Sequence, residues 1–144
     1  VVRQNESLPK AVICDLDGTL ALMDERDPFD ASGCENDRLN KSVADTLAYY
    51  RQNGYNILLV SGREDTYREP TLQFLEKHHI HFDELWMRPS GNYIKDSVLK
   101  KGIYKQNIQD KYAVALVLDD RDQVVDMWRK ELQLPCFQVF YGKF

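Results

Sequence analysis

Three short apolar runs alternate with segments of helical periodicity along the 144-residue chain. They are Ala11–Cys14, Asn56–Val60 and Ala113–Leu118, and each has the length and the polar flanks of one buried β-strand. Strands that alternate with helices are joined by right-handed crossovers and form a mostly parallel sheet. The pattern therefore predicts an α/β domain with a central parallel sheet.

Helices and weaker strands fill the intervals between these runs. Helices are predicted at Asn40–Gly54, Glu69–His79, Lys95–Asn107 and Asp122–Leu132, and short strands at Leu85–Met87 and Cys136–Phe140. The polar segment Ala21–Asn36 is broken by Pro28 and Gly33, so we expect an irregular flap over the sheet edge. The length fits one domain, residues 1–144.

Composition narrows the classes of protein to which the chain can belong. A hydrophobic fraction of 43% with 29% charged residues is globular, and no apolar run is long enough to cross a bilayer. The net charge of −4 argues against a broad basic surface that coats nucleic acid, but it permits a local grip on one phosphate. Cys14, Cys34 and Cys136 show no zinc spacing, and Cys14 and Cys136 lie in strand-like segments. We therefore expect free thiols and a reducing, cytoplasmic setting.

The first strand is followed at once by two acids, Asp15 and Asp17, and then by Gly18 and Thr19. Side chains two apart on a strand share a face, so both carboxylates are expected at the carboxyl end of the strand, where α/β sheets bind ligands. Crowded carboxylates favour a cation, and Mg²⁺ is the hard ion that most often shares such ligands with phosphate. One carboxylate can then attack phosphorus while the other moves a proton. The alternative is a surface turn with no chemistry.

Two further strands end in residues that suit phosphate chemistry. Ser61-Gly62-Arg63 follows the second strand and offers a hydroxyl, a close backbone N–H and a guanidinium for phosphate oxygens. Asp119-Asp120 follows the third and can complete an oxygen cage for the metal. Taken one at a time, each cluster has a simpler interpretation: Arg63 could be an exposed loop arginine, and Asp119 and Asp120 could cap the N-terminus of the next helix. Because the ends of parallel strands meet at one edge, we predict that all three clusters converge on a catalytic site.

Asp96 and Lys100 are spaced i, i+4 and so share one helix face. A lysine there could offset the charge of a nucleophilic aspartate and a phosphate. From spacing alone, however, a solvated surface pair is the simpler interpretation, and Lys95 and Lys101 compete for the same role.

Several other side chains are less informative. The histidines of the segment 78–81 are expected in a solvated turn after a helix, and Trp128 lies on an apolar stripe typical of core. Tyr67 and Tyr93 could stack on a base, but an ordinary loop tyrosine is the better interpretation of each.

Taken together, these residues resemble the haloacid dehalogenase (HAD) phosphotransferases. The matching features are DxDGT at Asp15–Thr19, Ser61 after the second strand, a downstream lysine, and paired acids at Asp119-Asp120. The likeness extends to the 3′-phosphatase domain of phage-type polynucleotide kinase-phosphatases. It is carried by DLDGTLALMDERDPFD, VSGRE, KDSVLKKGIY and LDDRDQVVDMW. The resemblance implies a three-layer, Rossmann-like sandwich with a small flap in place of a large cap.

The resemblance also implies roles. Asp15 would be the nucleophile, Asp17 the general acid and then base, and Asp96 and Lys100 an essential acid and lysine. Substrate phosphate would be bound by Arg26 and Arg63 with Ser61 and Gly62, and Mg²⁺ would be held by Asp15, Asp17, Asp119 and Asp120. The substrate would be a 3′-phosphate, or a 2′,3′-cyclic phosphate, on a DNA or RNA end under repair.

Two stretches depart from the family pattern, and two alternatives stay open. Glu25-Arg26-Asp27 makes the flap more acidic, and the ending FYGKF differs. No GxxxxGK[ST] motif is present, so a linked kinase domain, if any, is expected before Val1. The alternative functions are a HAD phosphatase for a small metabolite or nucleotide, and a non-catalytic module that binds nucleic-acid ends.

Overall fold

The computed structural model describes residues 4–24 and 26–143, and its centre is a five-stranded parallel sheet. The strands are β1 (Lys10–Cys14), β2 (Ala21–Leu22), β3 (Arg38–Leu39), β4 (Asn56–Glu64), β5 (Glu84–Arg88), β6 (Ala113–Asp119) and β7 (Cys136–Gln138). The helices are α1 (Lys41–Gln52), α2 (Arg68–Lys77), α3 (Asp96–Ile103) and α4 (Asp122–Asp126). In the sheet the order is β5-β4-β1-β6-β7, so β1 lies at the centre.

The two faces of the sheet are covered by different helices because neighbouring side chains of β1 point to opposite sides. Ala11 and Ile13 pack in a core cluster with residues of α3 and α4. Val12 and Cys14 pack in a second cluster with residues of α1 and α2. The predicted parallel sheet is confirmed, and the architecture is a three-layer α/β/α sandwich.

Most predicted elements are present with shifted ends. The second apolar strand, predicted to end at Val60, continues as β4 to Glu64 with a shift of register against β5. The strand therefore carries Ser61-Gly62-Arg63 itself. The two last predicted helices are shorter than expected because each passes into a π-helical turn, Tyr104–Ile108 after α3 and Met127–Glu131 after α4.

The flap leaves and returns to the domain through β2 and β3, which pair antiparallel. It includes a 3₁₀ turn at Cys34–Asn36, and Ala31 and Cys34 are buried. Glu25 and Val1, named in the sequence-based expectations, lie outside the described residues, as does the last residue of FYGKF. Within the described ranges, no helix has the length and apolarity that crossing a membrane requires.

Candidate active site

The carboxyl ends of the three central strands, β4, β1 and β6, meet at one edge of the sheet. The backbone continues the ladder just past β1, since the N–H of Asp15 donates to the carbonyl of Leu118 at 3.0 Å. This is the point where the order of connection reverses on either side of β1, and such switch points form crevices. The predicted convergence of the polar strand ends is therefore present.

Three carboxylates come together at this edge. Asp15, Asp119 and Asp120 each place one oxygen so that all three lie within 4.8 Å of one another. All three side chains are buried. Only glycine at position 18 leaves room for the carboxylate of Asp120, because a Cβ there would lie 2.2 Å from its Oδ2, and the φ of +82° also favours glycine.

Lys100 enters this group from α3. Its Nζ donates to Oδ1 of Asp15 at 2.9 Å and to Oδ2 of Asp119 at 3.0 Å, and the residue is 1% exposed. The neighbouring Lys101 points outward instead and pairs with Glu131. The helix therefore selects one lysine of the candidates for the buried position.

Neutral donors add further hydrogen bonds to the three carboxylates. The hydroxyl of Thr19 lies 3.1 Å from Oδ2 of Asp15 and 3.3 Å from Oδ1 of Asp120. Trp128 is fully buried, as predicted for a core residue, and its indole N–H also donates to Oδ2 of Asp119 at 3.2 Å. These bonds orient the acids before any ligand binds.

Burial and mutual repulsion change the titration of the group. Burial raises the pKa of Asp15 well above its usual range, and the charge of Asp119 adds to the rise, whereas Lys100 acts in the opposite direction. Burial likewise raises the pKa of Asp120. The pKa of Lys100 is raised although burial opposes it, because Asp119 and Asp15 stabilise its charged form. One buried cation therefore offsets only part of the negative charge.

The donor set fits a divalent cation. Buried carboxylate oxygens that remain under-neutralised are the ligands expected for a hard ion such as Mg²⁺. Asp15, Asp119 and Asp120 could hold it. The fourth predicted ligand, Asp17, directs its carboxylate elsewhere and is not part of this group, so its role as a ligand stays a prediction.

Asp17 belongs to an adjacent cluster with two arginines. Its Oδ1 accepts from Arg26 at 2.8 Å and from Arg63 at 2.5 Å. Arg26 also binds both carboxylate oxygens of Asp37, and the second Nη of Arg63 donates to Thr71 at 2.7 Å. The side chain of Asp17 is 27% exposed, whereas that of Arg63 is 2% exposed. The guanidinium of Arg63 is thus fixed in place beside the site.

Asp96, the first residue of α3, contacts Gly62 of β4 and Arg88 of β5. A Cβ on Gly62 would lie 2.0 Å from Oδ1 of Asp96, so only glycine permits this approach. Arg88, the last residue of β5, donates to the carbonyl of Gly62 at 2.8 Å and to Asp96 at 2.9 Å, and Arg121 bonds the second oxygen of Asp96 at 3.3 Å. Ser61 is buried, and its hydroxyl accepts the N–H of Arg63 at 3.0 Å.

Sequence reasoning missed several members of the site. Arg88 could have been found, because it too ends a strand of the sheet. The second role of Trp128 has no signal in the sequence beyond its apolar stripe. The segment 78–81 contributes none of its histidines to the carboxylate group, which agrees with the predicted turn; His79 and His81 are exposed.

Comparison with known proteins agrees with this fold. The class C acid phosphatase from Bacillus anthracis has the same fold, with a TM-score of 0.67 at 14% identity over 94% of this chain and 66% of that one. The profile of the family described as "Polynucleotide kinase PNKP phosphatase domain", of the HAD type, matches residues 9–144. The chain belongs to this family, and it is accordingly a phosphatase, a hydrolase of the HAD superfamily.

Closer relatives share much more sequence. A chain in the solved Pnkp1/Rnl/Hen1 RNA repair complex is 56% identical with a TM-score of 0.98, over 99% of this chain and 46% of that one. A protein of Autographa californica nuclear polyhedrosis virus, provisionally named a bifunctional polynucleotide kinase/RNA ligase, is 37% identical over 134 residues, 90% of this chain and 19% of that protein. The chain thus spans about a fifth of this curated relative and less than half of the solved chain.

Proposed function

We propose that this domain removes the terminal 3′-phosphate from nucleic-acid ends in a Mg²⁺-dependent reaction with an aspartyl-phosphate intermediate. The observation that carries the proposal is the pairing of Asp15 with a buried lysine inside a group of three carboxylates. Membership of the polynucleotide kinase phosphatase family supports a polynucleotide substrate. A 2′,3′-cyclic phosphate would be a second substrate of the same site.

In the first step, a carboxylate oxygen of Asp15 attacks phosphorus and the bond from phosphorus to the 3′ oxygen breaks. Asp17, in its protonated form, donates its proton to the departing 3′ oxygen, which leaves as a hydroxyl. Lys100 holds Asp15 in a fixed orientation and offsets part of the charge that gathers at the site.

In the second step, water attacks the phosphorus of the acyl phosphate. Asp17 is now a carboxylate and takes a proton from that water, the bond between Asp15 and phosphorus breaks, and inorganic phosphate leaves. Both carboxyl groups return to their starting forms, so the cycle balances.

The metal and the arginines supply the remaining charge. Mg²⁺ held by Asp15, Asp119 and Asp120 would stabilise negative charge on the phosphoryl oxygens. Arg26 and Arg63 bind Asp17 when no substrate is present. A phosphate dianion competes for these guanidinium groups, which would release the carboxyl group of Asp17 from both arginines. Substrate binding would in this way prepare the general acid.

Asp15→Asn tests the proposal directly. We expect at least a thousandfold loss of phosphate release from a 3′-phosphorylated oligonucleotide, because the amide is a poor nucleophile. Asp126→Asn is the matched control, since Asp126 is an exposed acid paired with Lys130 on the outer surface. Chelation of Mg²⁺ should abolish turnover in both the parent and the control, and full activity of Asp15→Asn would reject the nucleophile.

The same assay separates the alternatives. A phosphatase for small metabolites would hydrolyse mononucleotides at least as efficiently as the oligonucleotide. A non-catalytic module would release no phosphate from either substrate, or from a generic aryl phosphate, with Mg²⁺ present.

A further inference from the structure

Three strongly exposed aromatic side chains lie on three separate segments beside the proposed site. Phe29, Tyr93 and Tyr141 are 92%, 83% and 93% exposed. A single exposed ring carries no meaning, because apolar atoms are common on protein surfaces. These three segments, however, are each fastened to one of the acids of the site.

Phe29 lies at the tip of the flap, on a turn held by Arg26. The Nη1 of Arg26 donates to the carbonyls of Asp27 and Asp30, both at 3.3 Å, and these residues flank the ring. The Nη2 of the same side chain donates to Asp17 at 2.8 Å. One guanidinium therefore joins the turn that carries Phe29 to the proposed general acid.

Tyr93 lies on the loop after β5, and Arg88 holds that loop in the same manner. The Nη1 of Arg88 donates to the carbonyls of Asn92 at 3.1 Å and Ile94 at 2.6 Å, which flank the tyrosine. Its Nη2 donates to Asp96 at 2.9 Å. The ring is exposed although the backbone that carries it is fixed to the site.

Tyr141 follows β7 and precedes a glycine that lies against Asp120. A Cβ on Gly142 would lie 1.9 Å from the carbonyl oxygen of Asp120, and the carbonyl of Gly142 accepts the N–H of Asp122 at 2.7 Å. Gln138 also donates to the carbonyl of Asp120, at 3.1 Å. The third ring is thus carried by backbone that packs directly on a carboxylate residue of the site.

We propose that Phe29, Tyr93 and Tyr141 form a stacking surface for the bases of a single strand whose 3′-phosphate lies in the site. Each base has a π face, so such stacking tolerates any sequence. The inference rests on the proposed function and adds to it the residues that recognise the strand as a polynucleotide.

The charges of the chain favour stacking over attraction to the strand's backbone. The net charge is −4. Before substrate binds, the two anchoring arginines, Arg26 and Arg88, are paired with carboxylates. The net negative charge therefore disfavours a broad electrostatic attraction to the phosphates of the nucleic-acid strand. Aromatic stacking gains its energy without net charge, so it can hold a strand on an acidic protein.

The test compares two 3′-phosphorylated oligonucleotides, one with ordinary bases and one with abasic sugars at its last three positions. The measured quantity is the ratio of kcat/KM for the base-bearing strand to that for the abasic strand. We expect Phe29→Ala, Tyr93→Ala and Tyr141→Ala each to lower this ratio by roughly 5- to 100-fold, the range for loss of one stacked base. Tyr93→Trp, which keeps an aromatic ring, should keep the ratio of the unmodified protein. Tyr49→Ala is the control, because Tyr49 is 65% exposed on α1, an element that carries none of the three rings.

The outcomes separate the inference from the function on which it rests. If the unmodified protein releases no phosphate from either strand, the proposed function is wrong. If that protein is active and the three alanine variants keep its ratio, the stacking surface is wrong. The ratio would also be unchanged if the rings serve contact with another protein, and the inference would then be overturned. A proportional loss on both strands would indicate damage to the fold and would equally contradict stacking.

Discussion

At the scale of single residues, the buried lysine is the most informative side chain of the site. Lys100 is 1% exposed and donates hydrogen bonds to two carboxylates. Its positive charge therefore stabilises the ionised forms of both acids. Removing one partner of a buried pair leaves an uncompensated charge, which costs far more than the loss of a surface pair.

We therefore expect Lys100→Met to lower the free energy of unfolding without metal by about 3–5 kcal/mol. Urea denaturation measures this loss, and phosphate release should also fall. Mg²⁺ should reduce the deficit in stability, because a cation would offset the charge of the same acids.

The neighbouring lysine provides the control for that experiment. Lys101 makes an exposed pair with Glu131, so Lys101→Met should change stability by less than about 1 kcal/mol. Equal stability of the two variants would contradict a structural role for the charge of Lys100.

The residue scale also shows how far the sequence could lead. From spacing alone, Asp96 and Lys100 were interpreted as a surface pair. Lys100 is instead buried, because α3 packs on the sheet, and no local sequence pattern reveals that packing. Asp15 and Asp119 lie together at the expected edge of the sheet, because the end of a parallel strand fixes a position in space. Asp37 and Thr71 gave no signal, since each acts through a hydrogen bond to an arginine: Asp37 with Arg26 within the flap, and Thr71 of α2 with Arg63 of β4.

At the scale of elements, apolar strands were predictable and helix ends were not. The central strands are buried on both faces, so each is a continuous apolar run that can be recognised in the sequence whatever its register in the sheet. Helices α3 and α4 pass into π turns because one extra residue is accommodated in the last part of each helix, and helical periodicity does not reveal that insertion.

Two strands that are not neighbours in the sheet are joined near their starts by a tyrosine. Tyr112, just before β6, donates through its hydroxyl to Glu84 at the start of β5. Although burial opposes the change, the bonds from Tyr112 and Trp86 lower the pKa of Glu84, whose usual value is 4.5. Burial and Glu84 raise the pKa of Tyr112 to about 12.

Tyr112→Phe should lower the free energy of unfolding by about 1 kcal/mol at pH 7, because one partly exposed charged hydrogen bond is lost. The lowered pKa of Glu84 contributes stability above pH 4.5 that disappears as the pH falls through its folded pKa. The difference between variant and parent should therefore shrink in urea titrations on acidification from pH 5 to pH 3. Tyr49→Phe, on an exposed tyrosine, should show no such difference, and a gap that widens in acid would contradict the argument.

At the scale of the whole molecule, the acidic site opposes the stability of the fold. Burial and the charge of Asp119 raise the pKa of Asp120, which means that its ionised form is disfavoured in the folded state. Replacing the charge with a neutral amide should stabilise the metal-free protein, while a metal that binds only the folded state should stabilise the parent.

Asp120→Asn should therefore raise the melting temperature without metal by roughly 3 °C, equivalent to about 1 kcal/mol. Mg²⁺ at one hundred times its dissociation constant should stabilise the parent by about 2.7 kcal/mol and the variant much less. Calorimetry with and without Mg²⁺ measures both effects. Asp126→Asn, an exposed substitution, should keep the parent's metal response, and an undiminished response of Asp120→Asn would contradict its place among the ligands.

Gly18 and Gly62 carry a consequence for telling working relatives from inactive ones. Each lies so close to a carboxylate that a single methyl group would occupy the same volume as an oxygen of Asp120 or Asp96. Inventories of acids and bases overlook such positions, because glycine brings no reactive atom. A relative with alanine at either position could keep every charged residue of the site and still be inactive, because the acid beside that position would be displaced.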